Sequence, residues 1–213
     1  NKADPITLQL MMAALHEFEQ SAGLKTNLKK SQMVFGGTNS ELQQKCLKTV
    51  GLKSSSLPLN YLGMTIVSSR LTKVECAQLV IKITVKVHQW STRNKSYAGR
   101  LVLINSIIFG MFNYWASIFL LPTEVTDRLT QISRNFLWNG TEEFKRPPPI
   151  SWQHSCLAKN KGGLGIKDYA TWNKAIIAKL VWPVAQKKDI LWVRWVHGRY
   201  IRGGNWWDYT PLG

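Results

Sequence analysis

The sequence predicts a mainly α fold with a small α+β part at its N-terminal end. Three observations carry this. Apolar residues recur at helical spacing over long stretches beyond residue 70, whereas the first 70 residues alternate short helical and strand-like segments. Small mixed elements come first and consecutive helices follow, the order expected of an α+β portion leading into an all-α one. The 213 residues are 45% hydrophobic, enough to bury a core in one large domain or two small ones, which excludes a wholly disordered chain.

Pro5 after Asp4 marks a helix start, and Leu8, Met11, Met12, Leu15 and Phe18 give that helix an apolar face before Gly23. Residues 31–35 read as a short strand closed by Gly36 and Gly37. Ser40 is placed to cap a second helix with Leu42, Cys46, Leu47 and Val50 inward, and Gly51 ends it. Residues 59–67 follow Pro58 and alternate into β-branched residues, predicting a short strand or hairpin. Thr72 is the expected cap of a long helix reaching about residue 92. Val74, Ala77, Ile81, Val85 and His88 or Gln89 form its expected apolar face, and Lys73, Lys82 and Lys86 its basic one. Further helices are predicted over 97–120, stopped by Pro122, over 124–138, ended by Asn139-Gly140, and over about 168–182 and 189–200. Pro147, Pro148 and Pro149 read as a rigid linker and the best internal boundary. The expected division is 1–67, 68–141 and 142–213.

Charge narrows the function classes. Lys and Arg number 28 against 12 acids, a net charge of +16. Residues 20–123 hold thirteen of the cations and only two acids, Glu41 and Glu75. A stretch of one sign neutralises phosphates and releases their counterions, so a nucleic acid is the expected partner. Three scattered cysteines give no disulfide scaffold and point to a reducing, intracellular setting. No signal-peptide pattern opens the sequence, and it is read as a piece of a longer polypeptide.

The remaining motifs favour structure over chemistry. Residues 101–121 lack charge, but Asn105, Ser106, Asn113 and Ser117 interrupt them, so a buried helix is expected and no membrane partner. His154 and Cys156 stand without the paired spacing of a zinc site. Gly162, Gly163 and Gly165 lack the full pattern of a phosphate-binding loop and read as a tight turn. No carboxylate pair, activated nucleophile or metal cluster emerges, so no catalytic residue, metal site or small-molecule cofactor is assigned.

Several motifs taken together resemble the reverse transcriptase of non-LTR (LINE-type) retrotransposons of plant genomes. They are Ala22-Gly-Leu-Lys-Thr-Asn-Leu-Lys-Lys-Ser31, Leu57-Pro-Leu-Asn-Tyr-Leu-Gly63, Trp90 with Ser96-Tyr-Ala-Gly-Arg-Leu101, Phe136-Leu-Trp138, and Trp152 with Cys156-Leu-Ala-Lys159 and Gly162-Gly-Leu-Gly-Ile166. The resemblance runs from about residue 2 to 207. The chain departs from the family at Lys95, where Leu is usual, and at Ala158, where Pro is usual, which implies a diverged copy.

The resemblance implies the end of a polymerase palm, then a helical thumb, then a connection toward a zinc-binding segment. The family's Tyr-x-Asp-Asp turn, whose carboxylates hold two Mg²⁺ ions, would precede residue 1, so the chain alone is expected to be inactive. Lys30, or Lys29 in a slipped register, would approach the phosphates of the incoming nucleotide. Tyr61, Leu62 and Gly63 would form the primer grip. Lys73, Lys82, Lys86, Arg93, Lys95 and Arg100 would contact the backbone of an RNA/DNA hybrid or duplex, and a nuclear location is implied. The alternative is a stand-alone basic nucleic-acid-binding module derived from a retroelement.

Overall fold

A computed structural model describes residues 4–91, 94–202 and 204–210. The chain is mainly helical with a few short strands, and it divides into two compact units, Asn1–Arg70 and Leu71–Gly213.

In the first unit, α1 (Pro5–Ala22) begins where Asp4 accepts hydrogen bonds from the N–H groups of Ile6 and Thr7 and from the Thr7 hydroxyl. Gly23, at φ 67°, ends it in the left-handed conformation. Leu8, Met12 and Leu15 are half-buried, Met11 and Phe18 are exposed, and no α1 side chain is fully buried. Strand β1 (Gln32–Val34), helix α2 (Ser40–Val50) and strand β2 (Lys53–Ser55) form a β–α–β turn of chain. Its two strands pair in parallel with Gln32 opposite Lys53. The sequence pattern identifies β1 but not β2. Asn39, rather than Ser40, caps α2: its Oδ1 accepts from Leu42 N–H at 2.9 Å, and Cys46 and Val50 face inward. Strands β3 (Leu59–Tyr61) and β4 (Met64–Ile66) make an antiparallel hairpin. Its two turn residues, Leu62 and Gly63, both have positive φ, the arrangement that matches the twist of the paired strands.

In the second unit, α6 (Thr123–Asn139) is the central element, packing against α3 (Ala77–Ser91), α4 (Tyr97–Leu103) and α8 (Tyr169–Ala185). Val125, Leu129, Ile132, Phe136 and Leu137 are its main buried apolar side chains. The rest of the core comes from Leu79, Ile83 and Val87 of α3, from Ile104, Ile108, Phe112 and Trp115, and from Tyr169. Phe112 and Tyr169 meet edge to face with centroids 4.8 Å apart, and the Tyr169 hydroxyl is 2.7 Å from Ser133 Oγ.

Three expectations are corrected here. The buried stripe of α3 is Leu79, Ile83 and Val87, whereas Val74 and Ile81 of the expected face are 79% and 59% exposed. The helix carries two apolar stripes, and packing against α6 chose the other one. Thr72 caps a turn leading into α3 rather than the helix itself, with Glu75 accepting from the Thr72 N–H and hydroxyl. The segment predicted as one helix over 97–120 is α4, a π-helical turn (Ile104–Ile108) and α5 (Phe109–Ala116), which ends well before Pro122.

What ends α5 is Asn173, almost fully buried on α8. Its Nδ2 donates to the carbonyls of Ala116 and Phe119, and its Oδ1 accepts from Leu121 N–H at 2.8 Å. Asn113 is also partnered, accepting from the Trp172 indole at 3.1 Å. Among the described residues no helix is long and apolar enough to cross a membrane.

The chain continues through α7 (Trp152–Ser155) and α8, which runs past the predicted stop and through Pro183. Pro183 removes the partner of the Lys179 carbonyl, a loss made tolerable by the exposure of that residue. Helix α9 (Leu191–Val196) passes into a π-helical turn ending at Ile201. Val184, Val193 and Ile201 form a small satellite core there, with Val196, Trp206 and Tyr209 against it.

Candidate nucleic-acid interface

In the first unit, Lys29 and Lys30 stand exposed in the turn after α1. Asn27 shapes that turn: its carbonyl and Oδ1 both accept from Lys30 N–H, and the carbonyl accepts from the Ser31 hydroxyl. Glu19 of α1 ties down the preceding segment by accepting from Thr26 N–H at 2.6 Å. Hydrogen bonding from Thr26, and less so from His16, holds the Glu19 carboxyl below its usual range. Tyr61, Leu62 and Gly63 occupy the tip of the β3–β4 hairpin, where Tyr61 is 57% exposed.

In the second unit, Lys73, Lys82 and Lys86 are all exposed. Lys73 pairs with Glu124 at 3.4 Å, both side chains being largely in solvent, so the pair contributes little stability. Lys82 and Lys86 stand one turn apart on α3, and neither forms an ion pair among the described residues. Ile81 and Val85 are exposed beside them. The four side chains make a mixed basic and apolar outer face, set by the helix burying its 79/83/87 stripe.

Lys95 and Arg100 are half-buried and already engaged. Lys95 Nζ donates to the Trp90 carbonyl at 3.3 Å. Arg100 Nη1 donates to the Leu137 carbonyl at 3.1 Å, and the guanidinium lies 5.3 Å from the centre of the Tyr97 ring. A cation at the last turn of α6 is favourably placed against the helix dipole. Tyr97 in turn meets Trp138, so the Ser96–Leu101 and Phe136–Trp138 motifs are packed on each other. Arg93 lies outside the described residues.

The glycine-rich turn has no amides to offer a phosphate. The N–H groups of Gly162, Gly163, Leu164 and Gly165 donate to the carbonyls of Lys159, Ala158, Ser155 and Leu157 respectively. A side chain at Gly163 would stand 2.1 Å from the Leu157 carbonyl oxygen, so this is a close backbone crossing that only glycine permits. Burial pushes the Cys156 thiol up to about 11, with Asp168 adding to the effect, and burial pushes the Cys76 thiol up to about 12. Neither thiol is poised as a nucleophile or metal ligand. Among the described residues no group of three or more His, Cys, Asp or Glu could hold a metal ion.

The sequence reading missed a groove of about 610 Å³ between α3 and α6. Its floor includes Val80 and Ile81, and Arg128 and Arg134 stand on its wall. Arg128 is exposed and Arg134 half-buried, and the groove also carries the acids Glu124 and Asp127.

No protein-family model matches the chain. It is similar to two proteins of Arabidopsis thaliana. One is named "Putative ribonuclease H protein", 31% identical over 147 residues, which are 67% of this chain and 24% of that protein. The other is named "Uncharacterized mitochondrial protein", 30% identical over 89 residues, which are 41% of this chain and 58% of that protein. The match therefore spans about a quarter of the first relative and somewhat over half of the second. Neither name mentions a polymerase.

Proposed function

We propose that the chain is a retroelement-derived, nucleic-acid-binding segment: the part of a non-LTR retrotransposon reverse transcriptase that follows the catalytic turn. The observation that carries this reading is the outer face of α3, where Lys82 and Lys86 are exposed and neither forms an ion pair among the described residues. Two further points support it. The motifs that resemble the polymerase family run along nearly the whole chain, and one plant relative carries the name of a ribonuclease, a class defined by action on RNA.

On this reading residues 1–67 end the palm, 68–141 form the thumb and 142–213 the connection, in an intracellular, nuclear protein. The parent reaction is RNA-templated DNA synthesis, in which a primer 3′-hydroxyl attacks the α-phosphate of a nucleotide and pyrophosphate leaves. The described residues do not fit the Mg²⁺ pair of that reaction, and no step is assigned to them. Their part is to hold the template–primer. Lys82 and Lys86 contact phosphates, and the Tyr61–Leu62–Gly63 turn presents a phenol ring to the primer strand. Lys29 and Lys30, exposed on a turn, face the nucleotide's phosphates. Arg100 and Lys95 contribute by holding the helices in place more than by touching phosphate.

The test is a polarisation titration with a short RNA/DNA hybrid. Affinity on the order of 10⁻⁴ to 10⁻⁶ M, sequence-tolerant and weakening steeply with salt, is expected. Changing Lys82→Glu and Lys86→Glu together should weaken it for every sequence and flatten the salt slope by about two. An unchanged affinity would remove the thumb assignment.

A further inference from the structure

The far end of the second unit has a surface that the duplex-binding reading does not use. Around the satellite core of Val184, Val193 and Ile201, five large rings remain in solvent. Trp182 is 56% exposed, Trp192 40%, Trp195 60%, Tyr200 53% and Trp207 70%. Trp195 and Tyr200 stand edge to face, centroids 5.5 Å apart, on the π-helical end of α9. His197 bonds the Val184 carbonyl at 2.8 Å, and Trp206 packs against the same core. The scaffold under the rings is thus anchored.

The charge between the rings is as lopsided as their exposure. Lys179, Lys187, Lys188, Arg194, Arg199 and Arg202 are all exposed, against Asp189 and Asp208 alone over 179–208. Asp189 is spent on Arg194, at 3.1 Å. Exposed indoles cost free energy in water unless a flat apolar partner covers them, and cations this dense oppose a second basic surface. A partner that satisfies both has flat apolar faces joined by a regular anionic thread.

We propose that this end of the chain binds single-stranded nucleic acid, with unpaired bases stacking on Trp195, Tyr200 and the neighbouring rings while the interleaved Lys and Arg side chains follow the phosphates. A duplex does not fit, because its base faces are already stacked on each other and only base edges, sugars and phosphates are open. The site is therefore distinct from the duplex-binding face of α3. It rests on the proposed function only in that both partners are nucleic acids, and it stands if the thumb assignment fails.

The experiment titrates the whole chain with a short oligouridylate strand and, separately, with an RNA/DNA hybrid. Trp195→Ala with Tyr200→Ala should lower oligouridylate affinity about tenfold or more and leave hybrid affinity unchanged. Trp195→Phe, which keeps a stacking face, should retain most of it, and far-UV circular dichroism should be the same for all three proteins. Lys82→Glu with Lys86→Glu should show the reverse selectivity. Equal oligouridylate binding by the wild type and the double-ring variant would overturn the proposal. So would self-association in sedimentation that the ring variant abolishes without oligouridylate binding, since the rings would then be a protein interface. Oligouridylate binding by the wild type with no hybrid binding would sink the thumb reading and leave this one standing.

Discussion

The Arg100 guanidinium donates to the Leu137 carbonyl and lies against Gly140, tying the last turn of α4 to the last turn of α6. A Cβ at Gly140 would come within 2.9 Å of Arg100 Nη2, and Gly140 has φ 77°. Arg100→Ala removes a charged hydrogen bond and should cost about 1.5–3 kcal/mol. Gly140→Ala should cost on its own, through both backbone and clash. The double variant should cost less than the two losses added, because removing Arg100 also removes the clash. Urea unfolding followed by tryptophan fluorescence checks this, and it reads the second unit alone, since all ten tryptophans lie beyond residue 70.

Asn173 satisfies three backbone groups where α5 gives way to coil, at 2.8 to 3.0 Å. Asn173→Leu keeps the volume and strands a buried N–H and two carbonyls. A loss of about 2–4 kcal/mol is expected, at the upper end of what single polar deletions cost. The same urea titration measures it, and a loss below 1 kcal/mol would mean that these groups find other partners.

Local chemistry made much of the fold legible from residues alone. Asp4-Pro5, Gly23, Gly51 and Gly140 act within one turn of chain, so α1, α2 and α6 begin or end within a residue or two of their expected limits. What was not legible depended on partners distant in sequence. Strand β2 is Lys-Ser-Ser, with no strand pattern of its own, and exists because β1 pairs with it. The end of α5 is set by Asn173, more than fifty residues on. The buried side of α3 was decided by α6. The same limit applies to the candidate interface. Its lysines could be read as basic and outward, but only packing reveals that Arg100 and Lys95 are committed inside.

Gly163→Ala should disrupt the crossing of the glycine-rich turn over Leu157, because the obstructing atom is backbone and cannot turn aside. A loss of about 3 kcal/mol, or failure to accumulate as folded protein, is expected from overpacking at such a point. Gly162→Ala, at a position with open space but φ 80°, should cost less, and the two melting temperatures compared side by side are the check.

The raised thiols set an alkaline limit. Cys76 and Cys156 titrate near 12 and 11 in the fold, against an ordinary value of 9.0. A group whose folded value is raised contributes stability that is complete below the unfolded value and lost as pH climbs through the folded one. The urea midpoint should therefore decline from about pH 9 upward. Iodoacetamide at pH 8 should label both thiols far more slowly in native than in unfolded protein.

Glu75 works in the opposite direction. The Thr72 hydroxyl and then its N–H hold the Glu75 carboxyl below its ordinary 4.5. Stabilisation from a lowered carboxylate is present above that value and disappears as pH falls through the folded one. Fluorescence-detected stability should fall below about pH 4.5, and Glu75→Gln should flatten that fall.

Helix α1 spans 18 residues, yet none of its side chains is fully buried. Its backbone hydrogen bonds are thus held by capping and helix propensity more than by a packed face, and opening them exposes little new apolar surface. Amide protons along α1 should exchange with deuterium soon after dilution, while those of Leu129, Ile132 and Phe136 on α6 wait for the second unit to open as a whole. The two units of one chain would then keep different clocks.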